Sequence, residues 1–534
     1  MPSAYRGQTY KIPIELGGFN GNPDGDSIPP TSIIDGKNLN FHQGGKRKRK
    51  GTAKVNGTAV SGAPHLIGGI DFILNDGTQF QVFAGNDGTI YKNSTTTIKT
   101  GLTINQVSCF CVFNNTLYHT NRRDAIQSWN GVAASTSNIA NPHADWVAGT
   151  SAPRQILVHG RGNSERLVGV GCITNPENVY LSADGSDNFA TGVKIVVADS
   201  TKDGGIVGAV DFGDTLIMFS RKKAYLLDDT STDTANWGYE QAQWDGGAIH
   251  FGGICKTPND VICLTEDLDV YSLTAVQAKG DYKAASISRP SFVDNWLRNN
   301  VLRGQIPSYH TIYDPVRRAV LFFLFSTSPI LVQVDMMAVP FYIDRPVETA
   351  WGVPFRNEDY ISGYAALSAF LVRKSAGNYV IYTCGYNGFL WELESGTTDD
   401  GNPFYSGLTL AYNGADNIRV NKRWDNLWIV AIPYADTTLK VRAWIDGHLI
   451  VGESNFITEA GDELLTEDGY YLVTEDEQLW TFTFSTNVDL IEAMQQLGEM
   501  GRRIKIEIFN EQATSDYMLT QAMFDFMPLG NLAI

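Results

Sequence analysis

Short alternating runs of apolar and polar residues, broken by glycine turns, fill most of this chain. Phe80-Gln81-Val82-Phe83 is followed by Gly85-Asn86-Asp87-Gly88-Thr89-Ile90-Tyr91, and Tyr379-Val380-Ile381-Tyr382 by Tyr386-Asn387-Gly388-Phe389-Leu390-Trp391. Both read as a strand, a glycine turn and a second strand ending in an aromatic. Asp-Gly or Asn-Gly pairs recur at Asp76-Gly77, Asp87-Gly88, Asp184-Gly185, Asp245-Gly246, Asn387-Gly388, Asp400-Gly401 and Asp446-Gly447. Each suits a type I′ hairpin, whose two central residues both need positive φ.

Looser echoes of the unit begin at Val107–Phe113, Ile206–Val210, Val261–Leu264 and Ala319–Phe325, each followed by one or two further apolar runs. The spacing of roughly 45 to 60 residues is near the ~40 to 50 of a four-stranded propeller blade. The pattern predicts an all-β chain with a β-propeller of about six blades between His65 and Leu393. An array of two-sheet sandwiches fits the same degenerate repeat.

Past Gly396 the texture changes. Strands are expected at Tyr405–Tyr412, Trp428–Ile432, Leu439–Ile445 and Ile504–Phe509, the last with Ile504, Ile506 and Ile508 on one face. Val488, Ile491, Met494 and Leu497, behind an Asn487 cap, are spaced for one short helix. The expected organisation is an extended N-terminal arm over 1–60, a propeller over 61–395 and a C-terminal β-rich domain over 396–534.

Composition narrows the function classes. The chain has 534 residues, 43% of them hydrophobic, with 52 glycines and a net charge of −17. So negative a chain is a poor nonspecific DNA binder, because that affinity comes from cations neutralising phosphates. The six cysteines, Cys109, Cys111, Cys172, Cys255, Cys263 and Cys384, form no C-x-x-C and read as buried small hydrophobes of a reducing compartment. Met1–Arg6 has no apolar core of a secretion signal, and the strongest apolar run, Ala319–Phe325, is too short to span a bilayer. A soluble protein made in a cytoplasm is expected.

Against that background the run Lys46-Arg47-Lys48-Arg49-Lys50 stands out. Charge patterning alone reads it as a solvated basic turn.

A second unusual stretch repeats Thr-Glu at Thr458-Glu459, Thr466-Glu467 and Thr474-Glu475, eight residues apart, each followed by a short apolar piece. These octapeptides suit stacked hairpins over 453–480. Glu453, Glu459, Asp462, Glu463, Glu467, Asp468, Glu475, Asp476 and Glu477 fall here without a single Lys or Arg. Their mutual repulsion predicts a surface exposed to water. A plain hairpin extension, a calcium loop lacking the regular ligand spacing, or an acidic wall facing a DNA conduit would each account for it.

Signals of catalysis are weak. The eight histidines form no H-x-x-x-H pair, and neither a G-x-S-x-G elbow nor a phosphate-binding P-loop is present. Ser182–Phe189 is similar to the aspartate box of sialidase-type propellers but occurs once, as a turn between strands would. Asp335 and Asp344 form the kind of acidic pair that any chain with 58 acids offers by chance. No catalytic residue, cofactor or metal site is expected.

Pro29-Pro30, Asn38, Phe41, Lys48-Arg49 and Gly51 together resemble the N-terminal segment that precedes the propeller in podovirus-type tail nozzle, or tail hub, proteins. The segment Tyr386–Leu393 with Gly396–Gly401 resembles that family's last blade running into its C-terminal β-region, and Tyr313-Asp314-Pro315 with Ala319–Phe325 a further blade. The resemblance implies a non-enzymatic virion protein of the phage tail, assembled in the host cytoplasm as a homo-oligomeric, hexameric ring. Such a ring continues the DNA channel below the portal and adaptor, takes part in genome retention and ejection, and carries fibres or spikes. It passes double-stranded DNA without specific binding, and no membrane span is implied. On this reading the nine acids are channel-facing. Lys46, Arg47, Lys48, Arg49 and Lys50, a longer run than the family's pattern, are candidates for a contact between subunits. The alternative is a glycan- or receptor-binding propeller for host attachment, with Trp237, Tyr239 and Trp244 as a sugar platform.

Overall fold

The computed structural model describes residues 7–22, 28–40, 45–93, 95–161, 164–242, 246–273, 286–304, 309–325, 329–335, 366, 368–415, 417–450, 480–484 and 491–530. The chain is all-β, with nine antiparallel sheets among the described residues. It divides into two compact units. Residues up to Arg49 join those from Gly401 onward in one, and the other runs from Lys50 to Asp400.

The second unit holds seven small sheets in chain order. Their first strands are Leu66–Ile73, Cys109–Phe113, Gln155–Arg161, Gly208–Phe212, Ile254–Lys256, His310–Asp314 and Ser368–Ser375. Each sheet is an antiparallel meander, so successive strands connect by short turns. The first strand of each sheet lies beside the first strand of the next, and Ser368–Ser375 returns to Leu66–Ile73.

Apolar clusters sit between consecutive sheets. Phe72, Val82, Leu117 and Trp129 join the first to the second. Cys111, Tyr118, Leu167 and Tyr180 join the second to the third. Val168, Leu181, Leu216 and Met218 join the third to the fourth. Phe83 and Tyr91 pack with Phe370, Tyr382 and Leu390, bringing the seventh sheet against the first. Both faces of these sheets are thereby covered, which is why the central strand Val261–Leu264 is apolar at every position and buried throughout.

The seventh sheet is completed by a strand from the start of the unit. Thr52–Lys54 pairs with Leu390–Leu393, with Ala53 opposite Glu392. Asn56 extends this pairing with its side chain, its Oδ1 accepting from Leu390 N at 2.7 Å and its Nδ2 donating to Gly388 O at 3.0 Å.

Seven sheets stand where about six repeats are expected from sequence. The extra one is the third, comprising Gln155–Arg161, Ser164–Val170, Asn178–Leu181 and Val193–Val196. The hairpin type is also corrected. At Asp76-Gly77, Asp87-Gly88, Asp184-Gly185 and Asn387-Gly388 the glycine alone has positive φ. Asp76 and Asp87 keep ordinary φ and close the turn with a carboxylate oxygen, accepting from Thr78 N at 2.8 Å and Thr89 N at 3.1 Å. Both residues are left-handed at Asp400-Gly401 and Asp446-Gly447, and at Asn114-Asn115, which the Gly-based pattern passes over. Asp245 lies outside the described residues.

The first unit holds two six-stranded sheets. One is built on Tyr517–Gly530, which pairs with Gln8–Pro13, with Lys46–Lys48 and with Asn421–Pro433. The other runs in the order Ile33–Lys37, Ser406–Leu410, Ile504–Asn510, Thr437–Ile445 and His448–Ile450, with Trp480–Phe484 also on Thr437–Ile445. Ile504, Ile506 and Ile508 are buried while Lys505 and Glu507 are half-buried, as the alternation predicts. The expected arm and C-terminal domain are therefore one body, because strands from the two ends pair.

The short helix expected around Val488–Leu497 is not formed. Ile491–Gly501 is a strand on Asn421–Pro433, from Ala431 opposite Ile491 to Lys422 opposite Gly501.

Candidate functional site: a buried basic strand

The run Lys46–Arg49 is the segment whose placement departs furthest from its composition. Lys46–Lys48 is a strand between Leu39–Asn40 and Tyr517–Gly530, with Lys48 opposite Leu39 and Arg47 opposite both Asn40 and Met518. Lys46, Lys48 and Arg49 are buried, at 3%, 2% and 1% exposure, whereas Arg47 is half-buried and Lys50 exposed. The solvated-turn reading is corrected: alternation along the strand carries the charges inward. The close fit begins at Gly45, where a Cβ would stand 2.7 Å from the carbonyl oxygen of Leu519.

Burial of cations requires replacement of their hydration. Arg47 obtains a carboxylate, with Nε and Nη2 at 2.9 and 2.5 Å from the two oxygens of Asp516, and its guanidinium lies 4.0 Å over the Tyr434 ring. Lys48 Nζ donates to Gln512 O and Ser515 Oγ, each at 2.8 Å. Arg49 Nε donates to Asn38 Oδ1 at 2.9 Å. Phe404 serves both neighbours, with the Arg49 guanidinium 3.7 Å and Lys48 Nζ 4.6 Å from its ring centre. Asn38, held at φ 59°, turns the chain so that its amide reaches Tyr405 O at 2.6 Å. Such an arrangement performs no chemistry. It clasps the N-terminal strands to the last strand of the chain.

Lys46, Lys48 and Arg49 are thus engaged within one copy, and what the run offers a second copy is reduced to Arg47 and Lys50. Their partners Phe404, Tyr434, Gln512, Ser515 and Asp516 lie hundreds of residues away and carry no local signal. The nine acids from Glu453 to Glu477 lie outside the described residues, as do Asp344 and Trp244. Trp237 and Tyr239 pack against the core between the third and fourth sheets, with Trp237 Nε1 donating to Ser231 O at 2.7 Å, so they form no open platform. Ser182–Phe189 connects the third and fourth strands of the third sheet, with Phe189 buried.

Two buried polar clusters escape any reading of spacing. His159, on the first strand of the third sheet, has Nδ1 2.6 Å from Asp211 and Nε2 2.9 Å from Asp229. Burial alone would depress its pKa, but bonds to two carboxylates outweigh it and hold the value above the usual histidine range. With an acceptor at each ring nitrogen, the ring is an imidazolium bridging two sheets. Asp269, 1% exposed in the fifth sheet, accepts from Ser286 Oγ and Ser288 Oγ at 2.5 Å each and from Val270 N at 2.9 Å. Arg289 Nε stands 2.6 Å from its other oxygen as an ion pair.

The cysteines and two further histidines serve packing. All six cysteines are free thiols, and burial pushes Cys109 up to about 11 and Cys111 up to about 12. His119 and His310, bonded to Ser108 Oγ and Ala369 O, are pulled down by burial to about 3 and about 4, so both are neutral packing residues. Among the described residues no group of His, Cys, Asp and Glu gathers as metal ligands would.

No protein-family model matches the chain, and no curated protein matches it. Among solved structures, BBS1N in complex with ARL6DN aligns at 10% identity over 65% of this chain and 96% of the matched chain, with a TM-score of 0.38. So slight a likeness carries no argument.

Proposed function

We propose that residues 50–400 form a seven-bladed β-propeller whose last blade is completed by Thr52–Lys54, and that the protein is a structural component of a tailed-phage virion. In this reading it assembles as a six-fold ring at the tail, continues the DNA channel below portal and adaptor proteins, and bears fibres or spikes. It acts by geometry and charge rather than by catalysis. A ring of six copies carries six times the chain's −17 charge, so passing DNA meets a wall that repels its phosphates.

The observation that carries the reading is the cyclic order of the seven first strands, joined to the position of Thr52–Lys54 directly behind the basic run. A propeller entered through a Lys-Arg-rich segment is what the resemblance to tail nozzle proteins implies. Strands from both sides of residues 50–400 in the sequence pair with each other in the first, β-rich unit, which supports a structural component over a free-standing enzyme.

Negative-stain imaging and mass photometry of the purified full chain at micromolar concentration test the proposal. Six-fold rings are expected. Particles of single-chain mass across that concentration range, together with saturable binding on a glycan array, would replace it with the attachment reading.

A further inference from the structure

Three arginines from neighbouring sheets of the second unit stand within electrostatic reach of one another, and among the described residues the one acid paired with any of them is Glu266, at Arg221. Arg122 lies in the turn between Thr116–Thr120 and Gln127–Trp129, Arg154 just before Gln155–Arg161, and Arg221 in the turn between Thr215–Phe219 and Ala224–Asp228. In an antiparallel meander the start of a first strand and the turn between the second and third strands fall at the same edge of the sheet. The three side chains therefore rise at one edge of the second, third and fourth sheets.

The cluster is built rather than incidental. Arg122 is held at φ 74°, a conformation that non-glycine residues rarely adopt. Its backbone N donates to Pro153 O at 3.1 Å and its carbonyl accepts from Ala152 N at 3.0 Å, tying the turn to the chain just ahead of Arg154. Its Nε donates to Gly171 O at 2.9 Å. Gly171 also abuts Arg154, since a Cβ there would stand 3.1 Å from Arg154 Cβ.

Acidic partners of these arginines are few. Arg122 bonds only carbonyl oxygens, and among the described residues Arg154, which is half-buried, has no side-chain acceptor. Asp124, the acid nearest to Arg122 in the chain, is occupied by Thr103 N at 2.6 Å, Thr103 Oγ1 at 2.9 Å and Asn121 Nδ2 at 2.6 Å. Arg221 meets Glu266 only at 3.6 Å in an exposed pair. Burial, then the charges of Arg122 and Arg221, pull Arg154 down to about 10. Withdrawing a guanidinium from water beside two others is unfavourable unless a counter-charge arrives. Of the described acids in a chain with 58 acidic residues and 41 basic ones, only Glu266 is paired there, at the exposed Arg221, and none with Arg122 or Arg154.

We infer that Arg122, Arg154 and Arg221 form a binding site for a small phosphate-class oxyanion at this edge of the second to fourth sheets. Guanidinium forks match the oxygens of such an ion in pairs, and Arg122, fixed on Gly171, presents its remaining nitrogens already oriented. The inference stands apart from the virion reading and concerns a monomer as much as a ring.

The test titrates inorganic phosphate into the full chain at constant ionic strength, following phosphorus NMR line width and melting temperature, with chloride as the control. Saturable broadening is expected, together with a melting temperature that rises with phosphate and not with chloride. Arg154→Gln and the exposed-site variant Arg221→Gln should each weaken phosphate binding at least tenfold. Arg154→Lys, which keeps charge without the fork, should fall between. The inference is overturned if phosphate and chloride act alike on the unaltered chain, or if a folded Arg221→Gln and Arg154→Lys bind phosphate as the unaltered chain does.

Discussion

Nε2 of His159 lies 2.9 Å from a carboxylate oxygen of Asp229, and both residues are withdrawn from solvent. Asp211 on the other ring nitrogen makes the histidine an ionic bridge between two sheets. Its raised pKa fixes the sign of the pH dependence: the contribution is full below the unfolded histidine value of about 6.5 and is lost as pH rises through the folded value. His159→Gln should therefore cost most at pH 6, about 3 kcal/mol for a broken buried pair, and less at pH 9. Urea denaturation of both proteins at the two pH values measures the difference. An equal cost at both would show that the ring is neutral.

Among the described residues the fifth sheet has three strands, and Asp269 holds Ser286, Ser288 and Arg289 beside the third. Ser286 bridges Tyr271, and Ile287 N donates to Val270 O at 2.9 Å. Asp269→Asn keeps the shape but turns an NH₂ or a weaker acceptor toward Arg289. The expected loss is about 2 kcal/mol, below that of a fully buried pair because Arg289 is partly exposed. Faster proteolysis near residues 286–291 than in the unaltered protein is the accompanying local readout.

Asn56 substitutes for backbone where the seventh sheet receives Thr52–Lys54. Asn56→Ala strands the Leu390 N–H in a buried setting, while Gly388 O keeps its bond from Val60 N at 3.0 Å, for an expected loss of about 1 to 3 kcal/mol. A melting temperature within a degree of the unaltered chain would show that the strand is held by its ladder alone.

Arg49 and Phe404 test the basic clasp. Arg49→Lys retains the charge but loses the planar stack and the Nε geometry toward Asn38, with an expected cost of about 1 to 2 kcal/mol. If stacking carries this cost, Arg49→Lys in a Phe404→Leu background should add little, a comparison made by a double-mutant cycle.

Six of the seven small sheets are legible in the sequence because each carries apolar or alternating runs set apart by short polar or glycine-containing turns. The third escapes because the facing ends of its first two strands, His159-Gly160-Arg161 and Ser164-Glu165-Arg166, are polar or glycine and blur the alternation. Ile491–Gly501 misleads for a geometric reason. Between Trp424–Glu499 and Asn426–Gln496 the register advances two residues on one strand and three on the other. This bulge interrupts the period of two and leaves Met494 and Leu497 at a helix-like spacing of three. The basic run is misread because its partners are distant: composition reports charge, while burial depends on Phe404, Asn38 and Asp516.

Pairing of Lys46–Lys48 with Tyr517–Gly530 imposes an order on biosynthesis. Arg47 leaves the ribosome 469 residues ahead of Asp516, its carboxylate partner. Until that partner follows, the lysines and arginines remain hydrated, a state that keeps the nascent segment soluble and delays closure of the first unit. A chain stopped before Tyr517 leaves these cations without their shelter, so synthesis of that strand is itself the checkpoint for that half of the molecule.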